Sequence, residues 1–348
     1  MIALAFALHM GAASPLNAKK QPPPTRGTVE RIKVHGQSLE GNLEGDSPDR
    51  DVSVYLPPGY DAHRKQRYPV LYLLHGYSET DESWFGAKNV HVEAPAAIDK
   101  ALASGAAREM IVVMPNAYTV YMGSMYSSSV TTGDWERFIV FDLVSYMDTH
   151  YRTIPERMSR GLAGYSMGGY GTVRLGMKFP EVFSSLYAMS ACCLGPNAGA
   201  QGPGMAGAEA IRSVADVAKA NLGMKAMIAS AAAWSPNPKN PPLYFDLPSV
   251  GGKIQPLIAA KWDANAPLAM VDQYVPSLKQ FRAIALDVGT KDTLFNSVQE
   301  FDRSLTTLGI PHTYETYEGN HVSGIQGRLE KHVMPFFSKN LSFGRSKR

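Results

Sequence analysis

The stretch Gly161-Leu162-Ala163-Gly164-Tyr165-Ser166-Met167-Gly168-Gly169 decides the fold. It carries the pattern G-x-S-x-G, whose value depends on its surroundings because glycine-rich turns are common. Gly161–Tyr165 reads as a short buried strand and Met167–Phe179 as a helix, so Ser166 falls on the sharp turn between them. Such a turn forces its central residue into a tight backbone conformation, and glycines on either side leave room for it. It also sets Ser166 at a helix N-terminus, where unpaired N–H groups favour developing negative charge. Ser166 is therefore the candidate nucleophile; the plainer reading is an ordinary strand–helix turn.

Outward from this turn the chain alternates. Thr28–Val34, Asp51–Leu56, Tyr68–Leu74, Glu109–Met114, Phe183–Met189, Phe281–Leu286 and His312–Tyr317 read as further strands. Trp135–Tyr151, Leu294–Leu308 and Leu329–Phe337 have helical spacing of apolar residues. Apolar strands alternating with helices predict a mostly parallel sheet covered on both faces, an α/β class. The rhythm breaks over 194–278, where Gly, Pro and Ala dominate and only Ala208–Leu222 reads as a helix. That segment is expected to be an insertion after the sixth strand, in the place where such folds often cover a site.

A serine hydroxyl needs a base, and the order serine, acid, histidine is the one expected for a strand–turn–helix nucleophile. His321 follows the last strand in Glu318-Gly319-Asn320-His321, whereas His312 opens a strand and His332 lies in the last helix. The acid belongs to Asp287-Val288-Gly289-Thr290-Lys291-Asp292. Asp287 ends the strand and Asp292 sits in the loop beyond it, where reaching an imidazole is easier, so Asp292 is favoured; its plainer role is a helix cap. Two oxyanion donors are expected, the N–H of Met167 and the N–H of Tyr77 in Leu74-His75-Gly76-Tyr77, with His75 holding that loop. Trp84, Tyr121, Met122, Tyr126 and Trp234 are candidates to line a substrate pocket, although such residues are more often core. Asp134 and Glu136 are expected to cap and charge a helix start.

The chain has 348 residues, 45% hydrophobic and 19% charged, enough apolar content for a large core and too little charge for disorder. Formal net charge is +3, and the end of the chain, Arg345-Ser346-Lys347-Arg348, carries as many positive charges. A near-neutral body without a basic stripe excludes a nucleic-acid binder. The two cysteines, Cys192 and Cys193, are adjacent. Neighbours rarely bridge, because a disulfide wants Cα atoms farther apart than one peptide unit, so neither a disulfide framework nor a zinc set is expected; they read as small buried apolar residues. Residues 1–18 read as a signal peptide, an apolar run closed by Leu16-Asn17-Ala18 without a positive n-region, which predicts a secreted or periplasmic protein. Residues 19–27 read as a proline-rich linker, 28–340 as one domain and 341–348 as a basic tail; no run is long enough to span a membrane.

Taken with Trp84, Met114-Pro115-Asn116, Trp135-Glu136, Tyr151-Arg152 and Gly289-Thr290-Lys291-Asp292, the motifs Tyr72-Leu73-Leu74-His75-Gly76-Tyr77, Gly164–Gly169 and Gly319-Asn320-His321 carry a resemblance. Over roughly residues 50–335 the chain resembles the esterase D, feruloyl esterase and mycolyltransferase-like branch of the α/β-hydrolases. The resemblance implies an α/β-hydrolase fold and a serine carboxylesterase with Ser166, Asp292 and His321 as triad. It also supports Tyr77 and Met167 as oxyanion donors, and it requires no cofactor or metal. The expected substrate is a small-molecule or polysaccharide-linked ester, of feruloyl, acetyl or small aryl type. Alternatives are an acyltransferase to a sugar or lipid alcohol with the same triad, a non-catalytic carbohydrate-binding protein on the same fold, and a glutathione-thioester hydrolase. The 194–278 segment matches no motif of that branch, so the natural ester and the oligomeric state stay open.

Overall fold

Runs of apolar residues build the middle of one eight-stranded sheet. Its strands are β1 (Thr28–His35), β2 (Asp49–Leu56), β3 (Val70–Leu74), β4 (Ile111–Pro115), β5 (Arg160–Tyr165), β6 (Ser185–Met189), β7 (Ala283–Gly289) and β8 (Thr313–Tyr317). Their spatial order is β1-β2-β4-β3-β5-β6-β7-β8. β2 runs antiparallel to both neighbours, and every pair from β4 to β8 is parallel. The computed structural model describes residues 25–86, 92–196 and 203–344. The signal-peptide reading, most of the linker and the last four residues of the tail lie outside the described residues.

Alternation along each strand sends side chains to two cores. Tyr72 and Leu74 face Trp135, Phe138 and Tyr170, whereas Leu71 and Leu73 face Ile98, Leu329 and Phe337. Helices α1 (Ala94–Ala103), α2 (residues 135–150, with a π-helical turn at Phe138–Asp142), α3 (Met167–Lys178), α4 (Leu222–Trp234), α5 (Phe295–Thr307) and α6 (residues 325–340, π-helical at Leu329–Val333) supply most of the cover. Fully burying one such aliphatic or aromatic side chain contributes about 1.5–3 kcal/mol, so the two cores supply most of the folding free energy.

Several boundaries differ from expectation for local reasons. The third strand starts at Val70, not Tyr68, because Pro69 has no N–H for the ladder. A continuous helix over Ala208–Leu222 does not form. Ser213 accepts from Asp216 N–H and Asn221 from Met224 N–H, so each caps a new helix, Val214–Lys219 and then α4. α1 was not anticipated, although Pro95 near its start and buried Ala94, Ala97, Ile98 and Ala101 are its signal. Between β6 and β7 the described chain is mainly short helices with a two-stranded ribbon, Ser249–Val250 against Lys253–Ile254.

Candidate active site

All the candidate catalytic residues emerge at the C-terminal ends of parallel strands, where loops of neighbouring crossovers meet. Ser166 joins β5 to α3 with φ 56° and ψ −113°, a left-handed conformation that an L-residue holds only under strain. The surrounding glycines are dictated by contact. A Cβ on Gly164 would lie 2.2 Å from Gly168 O, and one on Gly168 would lie 2.1 Å from Leu74 O. One on Gly169 would meet Met189 O and Ala191 Cα at 2.9 Å. The turn is thus pressed against β3 and the loop after β6. Ser166 N–H donates to Met189 O at 3.0 Å, and Cys192 N–H donates to Ser166 O at 3.1 Å.

The two later loops are joined in the same way. A Cβ on Gly289 would fall 2.3 Å from Gly319 O, so this glycine lets the chain after β7 touch the chain after β8. Thr290 N–H donates to Tyr317 O, and Lys291 N–H to Gly319 O, each at 2.8 Å. That seam delivers Asp292 to His321. Asp292 Oδ2 is 2.9 Å from His321 Nδ1, and His321 Nε2 is 2.9 Å from Ser166 Oγ. A carboxylate accepts, so Nδ1 donates and Nε2 is left to accept from the serine hydroxyl. Asp292 also accepts Leu294 N–H through Oδ1 at 2.9 Å, so the helix-capping and imidazole-orienting roles coexist. Its side chain is fully buried, while His321 keeps about a third of its surface open.

Asp287 occupies a different environment. Its Oδ2 accepts from Arg328 Nε at 2.9 Å and Nη2 at 2.7 Å. Arg328 also bonds Tyr187 Oη and Glu315, all packed beneath the sheet edge.

The loop 75–77 is fixed from below. Buried His75 accepts Ala117 N–H through Nε2 at 2.8 Å and lies 2.8 Å from Gly76 O through Nδ1. Desolvation pulls its imidazole down to about 4, so it stays neutral and can make both bonds. Glu79 accepts Gly76 N–H at 2.8 Å, and burial pushes this carboxyl up to about 7. Tyr77 Oη donates to Tyr121 O at 3.1 Å. Met167 is the first residue of α3, so its N–H has no intrahelical acceptor.

Sequence reading did not single out Glu79 or the side chain of Tyr165. Tyr165 Oη donates to His321 O at 2.9 Å, and its ring lies 5.0 Å from the imidazole. Its position inside the G-x-S-x-G pattern was the available signal.

Four of the five pocket candidates are buried in the core, the plainer of their two readings. Trp84 packs with Val92, Ala94 and Leu73 on the far side of the sheet. Tyr121 is buried with its hydroxyl on Leu243 O, Tyr126 with its hydroxyl on His75 O, and Trp234 with Nε1 on Ser127 Oγ. The polar tips of Tyr121, Tyr126 and Trp234 are turned to protein acceptors. Met122 alone of the five is partly open, next to Ser78, whose N–H it accepts. A cavity of about 700 Å³ lies in the insertion, its wall including Arg212, Leu243 and Phe245, with the Tyr121 ring packed on Phe245. Asp134 caps α2 as expected, accepting from Arg137 N–H. Glu136 lies in the first turn of α2 as expected, and its carboxylate is buried between Arg174 and Lys178, tying α2 to α3. The cysteines are half-buried rather than buried.

A family model described as "Putative esterase" matches residues 47–325, well over half of the chain. A Xylanibacter ruminicola protein named endo-1,4-beta-xylanase/feruloyl esterase is 33% identical over 160 residues, 45% of this chain and 20% of that protein. An esterase of Mycobacterium tuberculosis is 31% identical over 135 residues, 38% of this chain and 27% of its own length. The chain thus spans less than a third of the length of these two relatives. A solved ferulic acid esterase structure superposes with a TM-score of 0.63 at 22% identity, covering 91% of this chain and 99% of that one. That likeness, with the parallel sheet and its helices, identifies the α/β-hydrolase fold. By the extent of the model match, the chain belongs to the family of putative esterases.

Proposed function

We propose that this protein is a serine carboxylesterase that cleaves a feruloyl-, acetyl- or small aryl-type ester through an acyl-serine. The observation that carries the reading is the unbroken line Ser166 Oγ, His321 Nε2, His321 Nδ1, Asp292 Oδ2, each hydrogen bond 2.9 Å long. Ser166 Oγ attacks the ester carbonyl while His321 Nε2 takes its proton. Asp292 fixes the tautomer and offsets the charge on the imidazolium. The N–H groups of Met167 and Tyr77 receive the oxyanion; one such donor is worth about 3 kcal/mol in the transition state. His321 then protonates the leaving alcohol, activates water, and the acid departs. His75 and Glu79 act earlier, by holding the 75–77 loop where Tyr77 N–H can serve.

The domain reading is part of the same proposal. A signal peptide over 1–18 and a linker over 19–27 precede one hydrolase domain over 28–340, with the 194–278 insertion and the basic tail 341–348. The ester would then be met outside the cytoplasm. No helix among the described residues is long and apolar enough to cross a membrane. The feruloyl preference draws on the names of the relatives, and the bond cleaved draws on the site.

A fluorophosphonate followed by peptide mass spectrometry, alongside turnover of methyl ferulate and p-nitrophenyl acetate, tests the reading. Label on Ser166, with turnover that Ser166→Ala abolishes, is the expected result. Folded protein that takes no label would refute it.

A further inference from the structure

Cys192 and Cys193, the two cysteines of the chain, lie on the loop that also carries the backbone bonds of Ser166. Their sulfur atoms are 2.7 Å apart, within about 0.7 Å of a disulfide bond length. Both side chains are half-buried and packed at the edge of the core. The loop is already sharply bent: Ser190 has φ 41° and Cys193 has φ 60°. Its bonds fix the nucleophile. Cys192 N–H donates to Ser166 O at 3.1 Å, Met189 O accepts Ser166 N–H at 3.0 Å, and Ser190 N–H donates to Asp287 O at 2.8 Å. Leu194 O accepts Leu268 N–H at 2.9 Å, which ties the same loop to the insertion.

We propose that Cys192 and Cys193 form a covalent modification site, a vicinal dithiol that a peroxide closes to a disulfide and that a mild thiol reopens, lowering and restoring turnover at Ser166. The effect on turnover rests on the esterase reading; the dithiol chemistry does not.

The chemistry balances with one peroxide. A thiolate attacks a peroxide oxygen, breaking the O–O bond and leaving a sulfenic acid and one water. The second thiol attacks the sulfenic sulfur, the S–S bond forms, and the hydroxyl leaves as a second water. Two electrons pass from the sulfurs to the peroxide, and both thiol protons end in water. The bond to the neighbouring thiol and burial push the Cys192 thiol up, which makes Cys192 the poorer first nucleophile and fits it to resolve.

Closure has two consequences. Adjacent residues hold their Cα atoms nearer together than an unstrained disulfide prefers, so the bond is strained and readily reduced. The eight-membered ring also includes the 192–193 peptide. Drawing the sulfurs together also moves the Cys192 Cα and with it the preceding 191–192 peptide, whose N–H donates to Ser166 O.

The test combines intact mass, thiol alkylation and p-nitrophenyl acetate turnover of the full chain, before and after hydrogen peroxide and then dithiothreitol. The expected product is a monomer lighter by two hydrogens, refractory to iodoacetamide, with turnover reduced at least several-fold and restored by dithiothreitol. Cys193→Ser is expected to keep its turnover through the same peroxide step. Cys192→Ser is expected to accumulate a sulfenic acid on Cys193 that dimedone traps. Gain of oxygen without loss of hydrogens, linked dimers as the main product, or equal inactivation of wild type and Cys193→Ser would overturn the proposal. If reduced wild type hydrolyses no ester yet loses two hydrogens, the esterase reading fails while the dithiol stands.

Discussion

Arg328 Nη2 sits 2.7 Å from Asp287 Oδ2, and its Nε reaches the same oxygen at 2.9 Å. This pairing separates the two aspartates that the sequence offers as the acid. Asp287→Asn leaves the Arg328 guanidinium, nine-tenths buried, without its buried carboxylate and with only the half-exposed Glu315 as an anionic partner. Removing one member of a buried ion pair costs on the order of 3 kcal/mol. The expected outcome is a lower urea midpoint with turnover per folded molecule within a few-fold of wild type. Asp292→Asn is expected to do the reverse, holding the midpoint and lowering kcat by about 10⁴, as the imidazole loses its tautomer. Equal loss of turnover in both would move the acid away from Asp292.

Backbone strain at Ser166 is separable from its chemistry. A non-glycine residue at φ 56°, ψ −113° stores on the order of 1–3 kcal/mol. Glycine releases that strain and costs about 1 kcal/mol in unfolded-chain entropy relative to alanine. Ser166→Gly is therefore expected to unfold at higher urea than Ser166→Ala by about 1 kcal/mol, with both inactive. Ser166→Gly less stable than Ser166→Ala by about 1 kcal/mol would mean that the turn is unstrained.

His75 makes stability depend on pH. Its folded value is about 4 and its unfolded value about 6.5, so the unfolded chain binds the extra proton between them. The contribution is complete above about 6.5 and falls by about 3 kcal/mol as pH drops toward 4. Glu79 works in the opposite direction: its folded carboxyl titrates near 7, so its contribution is greatest at low pH and fades as pH rises through 7. Urea midpoints of wild type and His75→Gln are expected to converge between pH 7.5 and 4.5. Parallel curves would show that His75 carries no such linkage.

Glu136 joins α2 to the helix that begins at the nucleophile. Its Oε1 accepts from Arg174 Nη2 at 2.7 Å, and its Oε2 meets Lys178. Glu136→Gln strands a buried guanidinium, and about 3 kcal/mol of stability is expected to go with it. Chemical denaturation with p-nitrophenyl acetate turnover on the folded fraction measures both; a change confined to turnover would contradict a structural role.

Strand and helix positions, the alternation that makes the sheet parallel, and the order Ser166, Asp292, His321 could be read along the chain. They depend on local hydrophobic period and on glycine at a turn, which are properties of short stretches. The burial of Trp84, Tyr121, Tyr126 and Trp234 was the plainer reading, but the partners that bury each could not be read, because an aromatic residue carries no mark of which side of a loop it packs on. Glu136 reads along the chain as a helix-start charge, which it is, but its partners Arg174 and Lys178 come only with α3. Asp287 and Asp292 were distinguished in sequence only by reach. Their partners, Arg328 and His321, lie 41 and 29 residues further on, and only the seam of Gly289 against Gly319 and the packing of α6 bring them together. The chain by itself set which chemistry was available. The tertiary contacts decided which carboxylate, which aromatic and which pair of sulfurs are close enough to use it, since hydrogen bonds and packing act over a few ångströms whatever the separation in sequence.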